Sequence, residues 1–243
     1  VVSMCVSLTL ILLHFRSPRN PLHLTQSSFR PHLLILVSII GMGMASFIMN
    51  ITTGMVNIIM NRYLKNYGGD YAIGAYGIIS SYSILISMLL MGICQGMQPI
   101  ISYHYGMGNQ ARVRDLLQYA LRMGTAVACT GFALCELFAP WLVKCFTWDA
   151  HLAEISTEGL RYTFIAMPLV GLQIVATSYF QSVRQAPKAI VMNISRQFLF
   201  LIPALGVFAT HKGLAGIWLA IPFADVMATL IAVFFIWKAI NKH

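Results

Sequence analysis

Asn50, Gly54, Asn57 and Asn61 follow one another at steps of four, three and four, so on a helix they share one face. They lie in an uncharged apolar stretch. An amide turned toward hydrocarbon leaves its donors and acceptor unsatisfied, so this face must meet other helices or a wet cavity. Two uses fit: hydrogen bonds between helices, with Gly54 allowing close approach, or a substrate-facing wall. Gln95 and Gln98 pose the same question further on, just before Pro99, and Gln173 does so again five residues after Pro168. Gly92 and Gly96 form a GxxxG pair, a helix-contact signal. Pro99 removes a backbone donor and is expected to kink its helix, and Pro203 and Pro222 interrupt two later apolar runs.

Charges inside apolar runs are few. Arg122 and Arg196 stand near the ends of theirs and can snorkel. Glu136 is near the opposite end of its run. Asp225 is near the middle of the last one, where an unpaired carboxylate is costly. It is either a structural carboxylate, protonated or paired, or a group that couples proton or cation movement. Arg196 is one candidate partner. Met42, Met44, Met49, Met55 and Met60 crowd one run. Their flexible thioethers serve either as apolar filler or as a wall that repacks around differently shaped ligands.

No arrangement points to catalysis. The chain has no Ser/His/Asp set, no HExxH and no Walker A lysine. Gly106-Met107-Gly108 lacks the GK[ST] of a phosphate loop and reads as a helix cap and turn. Cys5, Cys94, Cys129, Cys135 and Cys145 show no CxxC spacing, and the histidines are scattered. We expect neither an enzyme, nor a metal centre, nor a bound cofactor.

The elements that position these residues follow from composition. Of 243 residues, 58% are hydrophobic and 9% charged, against about 25% charged in soluble domains. Such a surface must face lipid or other helices. The net charge of +9 does not indicate nucleic acid, because the Lys and Arg residues flank apolar runs without forming a stripe. The pattern predicts an all-α membrane protein. Residues 1–15 read as the end of a truncated transmembrane helix and 16–32 as a cytoplasmic loop. Residues 33–243 read as a six-helix lobe with spans near 33–61, 72–105, 116–143, 162–183, 189–209 and 213–237. Cytoplasmic flanks collect Lys and Arg. Arg16, Arg19, Arg30, Arg112, Arg114, Arg122, Arg184, Lys188, Arg196, Lys238 and Lys242 fall on one side, and only Arg62, Lys65, Lys144, Arg161 and Lys212 on the other. The chain is therefore expected in a cell membrane with its C-terminus cytoplasmic.

The segment Gln95-Gly96-Met97-Gln98-Pro99-Ile100-Ile101-Ser102-Tyr103-His104-Tyr105-Gly106, followed by Gly108-Asn109 and Arg112-Val113, resembles the multidrug and toxic compound extrusion (MATE) family, nearest its MepA-type multidrug export branch. Asn66-Tyr67-Gly68-Gly69-Asp70, Tyr179-Phe180-Gln181-Ser182 and Gly216-Ile217-Trp218 agree with it. The resemblance implies the C-terminal half of a twelve-helix fold, whose two six-helix lobes rock about a central cavity. The activity it implies is efflux of cationic, hydrophobic drugs in exchange for protons or sodium ions, as in antibiotic resistance. The implied partners are an N-terminal lobe of the same protein, small cationic drugs and the lipid bilayer. It places Asn50, Asn57, Gln95, Gln98 and Gln173 near the substrate pathway, with Met55 as an adaptable neighbour. Some members carry acidic cation ligands on the first and fourth helices of this lobe; here those spans have none, which favours coupling in the other lobe. A lipid-linked precursor flippase of related fold, or a non-transporting half-transporter, are the alternatives. A flippase cavity calls for a cluster of cations that these spans lack.

Overall fold

The computed structural model describes residues 4–10, 33–183 and 185–240. The loop expected at 16–32 lies outside the described residues. Two compact units divide the chain, residues 1–46 and 47–243. In the first, residues 4–10 are helical, and Thr9 Oγ1 donates to the Cys5 carbonyl at 2.8 Å. All that follows on packing concerns the second.

Helix α1 (Leu33–Gly106) is 74 residues long and contains one non-helical residue, Gly69, at φ 64° and ψ −157°. A straight helix of that length would reach about 110 Å, several times a bilayer. It is not straight. Asn57 and Tyr76 would stand about 28 Å apart along an unbroken axis, yet the Tyr76 hydroxyl donates to Asn57 Oδ1 at 3.4 Å. The chain turns back at Gly69, because only glycine adopts that left-handed φ without strain, and α1 makes the first two spans. Helix α2 (Gln110–Lys144) is the third. Gly106-Met107-Gly108 is the expected cap and turn: Gly108 has φ 74°, and Asn109 Oδ1 accepts from the Arg112 amide to start α2.

The fourth span departs from the sequence reading. Residues 150–161, expected as a connection, are helical. Asp149 caps α3 (Ala150–Phe164) by accepting from the Leu152 amide at 2.9 Å. A bend of 54° then leads into α4 (Met167–Ser182). Glu154, Glu158 and Arg161 hide this helix from a hydropathy argument, although its other face buries Ser156, Gly159, Leu160 and Phe164. Pro168 occupies the first turn of α4, where its missing N–H is not needed.

Helix α5 (Ala186–Ile194) runs into a π-helical segment, Ser195–Leu201, and then α6 (Ile202–Ile240). Pro203 cannot donate to the carbonyl four residues back, and its ring crowds that carbonyl. The widened π turns just before it accommodate the mismatch. Within α6, Gly213 (φ 60°, ψ −131°) turns the chain again. Phe208 and Phe223 lie 15 positions apart, about 22 Å on a straight helix, but their ring centroids are 5.4 Å apart. Gly216 lets the arms meet, since a Cβ there would collide with the Phe208 carbonyl. Six spans result. The dihedrals at Pro99 stay helical, and Gly69 is the residue with non-helical dihedrals in α1.

Met60, Leu64, Ile79, Leu90, Leu160, Phe164, Leu205 and Trp218 are almost wholly buried and form the main core. Ile58, Leu85, Met88, Leu89, Leu137, Trp141, Leu230 and Phe234 are more than half exposed. An apolar outer surface of this extent suits lipid, not water.

Candidate functional site: an amide-lined cavity with one arginine

The second and fourth spans run parallel and in register. Cys94 Sγ donates to the Ile174 carbonyl at 3.9 Å, Gln98 Nε2 to Ser178 Oγ at 2.9 Å, and Ser102 Oγ to the Ser182 carbonyl at 3.1 Å. Each pair is separated by the same 80 residues, so every turn of one helix meets the matching turn of the other. Small residues let α4 pack as tightly on α2: a Cβ on Gly171 would come within 2.7 Å of the Gly124 carbonyl oxygen.

Beside this seam lies a cavity of about 270 Å³. Its walls follow helical spacing. Ser87, Met91, Cys94, Gln95 and Gln98 come from the second span; Gln173, Ile174, Thr177, Ser178 and Gln181 come from α4. Asn193 and Arg196 close it from α5 and the π segment. Gln173 is only 4% exposed, and its Oε1 is buried without a hydrogen-bond partner. Among the described residues Arg196 is the one charged residue of the lining. Its Nε donates to Asp225 Oδ1 at 2.6 Å, with the Arg196 side chain 33% exposed and that of Asp225 5%. The partner expected for Asp225 is thus Arg196, reached from the adjacent span. Gln197, next on the π segment, donates to Asn193 Oδ1 at 3.3 Å and to Thr53 Oγ1 at 3.4 Å, tying the first span to this wall.

Of the residues singled out from sequence, Gln95, Gln98 and Gln173 come together in the cavity. Asn50, Asn57 and Met55 do not line it: they sit on an exposed face of the first span, whose buried side is Thr52, Val56, Met60 and Leu64. Asn57 still meets a neighbouring helix through Tyr76. Met60, one of the crowded methionines, is core filler at 1% exposure. Sequence reasoning took Arg196 as a snorkelling flank residue and a candidate partner of Asp225, not as part of a cavity wall, and missed Asn193. The available signal was the run Asn193, Arg196, Gln197 at helical spacing inside an apolar stretch. Two other cavities sit among charged helix ends. One, of about 770 Å³, lies between α2 and α3 by Glu136, Lys144, Glu154, Glu158 and Arg161. The other, of about 490 Å³, lies by His104, Arg112, Asp115 and Arg122. Among the described residues no His, Cys, Asp or Glu group is placed to hold a metal.

Six spans around a polar cavity, with an apolar exterior, define an integral membrane protein. The sequence model of the MatE family matches residues 45–205, and the chain belongs to that family. It is similar to the multidrug export protein MepA of Staphylococcus saprophyticus, 27% identical over 240 residues, covering 97% of this chain and 52% of the relative. It is also similar to MepA of Staphylococcus aureus, 28% identical over 212 residues, covering 86% of this chain and 46% of the relative. A solved structure of a multidrug resistance MATE family transporter in its outward-facing conformation superposes with a TM-score of 0.86 at 20% identity. That match covers 99% of this chain and 54% of the other. The chain spans about half the length of the curated relatives it matches.

Proposed function

We propose that this chain is the C-terminal lobe of a secondary active exporter that moves cationic, hydrophobic compounds out of the cell by alternating access, in exchange for protons or sodium ions. The observation that carries this reading is the polar cavity inside an otherwise apolar bundle, walled by amides and hydroxyls from three spans. Such a wall binds varied ligands through adaptable hydrogen bonds and apolar contact. The relatives named as multidrug export proteins support the same reading.

Alternating access needs two units that move around a shared site, so the partner of this lobe is an N-terminal lobe of the same protein. An ion gradient drives export only where a site binds the ion differently in the two states. Among the described residues the cavity lining holds no Asp or Glu, and Asp225 stands behind Arg196; coupling is therefore assigned to the first lobe. The single cation among the described residues of the cavity is fewer than a lipid-linked pyrophosphate calls for, which favours this reading over a flippase. With Lys and Arg concentrated on one side, the C-terminus is cytoplasmic.

The test is reconstitution. The complete gene product in liposomes, given a proton or sodium gradient, should move a fluorescent cationic dye above the empty-liposome rate, and this chain alone should not. Gradient-driven movement by the chain alone would overturn the two-lobe reading. Absence of movement by the complete product under both gradients would overturn the exporter reading.

A further inference from the structure

We propose that the cavity between the second, fourth and fifth spans is a subsite for a carboxyl group carried by the substrate, and that Arg196 is the residue that selects it. This rests on the exporter reading, and it specifies what kind of amphiphile that exporter prefers: an aromatic cation that also bears a carboxylate.

Three observations converge. The first is charge. Among the described residues Arg196 is the one charged residue of the lining, so a substrate cation placed here would meet a guanidinium and no carboxylate from them. The second is geometry. A guanidinium presents five N–H donors in a rigid fork. Asp225 takes Nε from behind, at 2.6 Å, and is nearly inaccessible, whereas the Arg196 side chain is one-third exposed. The terminal nitrogens make no hydrogen bond among the described residues. The ion pair thus holds the fork in place, and its remaining N–H groups match the two oxygens of a carboxyl group. Because the pair is formally neutral, selection acts at contact, through hydrogen bonds, more than through a long-range field.

The third observation is the buried Gln173 carbonyl oxygen. Gln173 is 4% exposed, lines the same cavity, and leaves Oε1 with no donor. A buried acceptor without a partner is costly. An N–H or O–H borne by the substrate beside its carboxylate would satisfy it. At about 270 Å³ the cavity is below the roughly 300–1,000 Å³ of a pocket for a whole drug-sized ligand, so it takes one group while the aromatic body lies outside it. Arg196 also stands on the π-helical segment Ser195–Leu201, a local irregularity that recurs at binding sites.

The test uses the complete gene product in detergent, with tetramethylrhodamine and its methyl ester as probes. The two dyes share a cationic aromatic body and differ in the carboxylate. Fluorescence anisotropy near neutral pH should show the acid bound about ten-fold tighter, the scale of one hydrogen bond to a charged group. Arg196→Gln alone strands a buried carboxylate, so the informative variant is Arg196→Gln with Asp225→Asn. With its elution profile and melting temperature retained, it should bind both dyes within about two-fold of each other. Equal or tighter binding of the ester by the unaltered protein would overturn the proposal, as would a folded double variant that keeps the preference. Gradient-driven transport of the ester without any preference for the acid would remove this inference and leave the exporter reading standing. Failure of either dye to move under any gradient would instead count against that reading.

Discussion

Arg196 Nε donates to Asp225 Oδ1 at 2.6 Å, joining the π segment of the fifth span to the sixth. Asp225 is 3% exposed, so this bond is what makes its charge tolerable inside the lobe. Breaking a buried pair by removing one partner typically costs about 3–5 kcal/mol, because the other charge is left uncompensated. Asp225→Asn or Arg196→Gln should each lower the melting temperature of the protein in detergent. The double substitution should recover much of that loss, since it strands neither charge. A double variant as unstable as the sum of the singles would mean that the two side chains act independently.

The seam between α2 and α4 depends on bare backbone. A methyl group at Gly171 would press on the Gly124 carbonyl oxygen, and one at Gly124 would press on Val175. Gly171→Leu should destabilise the lobe by about 1–3 kcal/mol or more through overpacking. Gly77, with open space beside it, is the control, and Gly77→Leu should be close to neutral. Thermal unfolding of both variants decides this, and equal effects would contradict the packing.

The turns at Gly69 and Gly213 hold left-handed φ values of 64° and 60°. Open space surrounds both positions, so conformational strain is the term that an added side chain introduces. Gly69→Val or Gly213→Val should cost about 1–3 kcal/mol. Gly69→Asn should cost about as much, because with ψ at −157° the residue lies in the glycine-only region and not in the αL well that Asn tolerates. Melting temperatures left unchanged by these substitutions would rule out the turn assignment.

Orientation is checked by labelling. In a background without the native cysteines, an impermeant thiol reagent applied to intact cells should reach single cysteines placed at Asp70, Asp149 or His211. It should not reach those at Asn109 or Lys238. The reverse pattern would invert the topology argued from Lys and Arg.

If the cavity is the pathway, its residues should matter most to transport. Gln173→Leu in the complete gene product should reduce dye efflux several-fold. Asn57→Leu should act more weakly, and Met55→Leu hardly at all, because neither Asn57 nor Met55 lines the cavity. Expression-matched efflux rates that place Asn57→Leu below Gln173→Leu would move the pathway to the first span.

The primary sequence determined the class of this protein by itself. A 9% charged composition and apolar runs long enough to cross a bilayer leave few solutions other than helices, since hydrocarbon offers backbone groups no partners. The glycine pair at 68–69 and the Gly106-Met107-Gly108 turn were legible as well, because a left-handed residue needs a chemistry that sequence displays. Asp225 advertised a partner through the cost of burying it alone. The helix over 150–161 was not legible. Its exposed face is charged, and only the packing of Gly159 against Ile79 and Trp218 shows that the other face belongs to the core. Nor could spacing tell which amides meet. Asn50, Asn57 and Gln95 look alike along the chain, each an amide in an apolar helix. Rotation of the first span turns its asparagines away from the cavity. The register between the second and fourth spans brings Gln98 and Gln173 to one wall, and the widened turn before Pro203 sets Arg196 beside them. Those are properties of how helices pack against one another, through contacts between residues 80 positions apart, and a local pattern does not encode them.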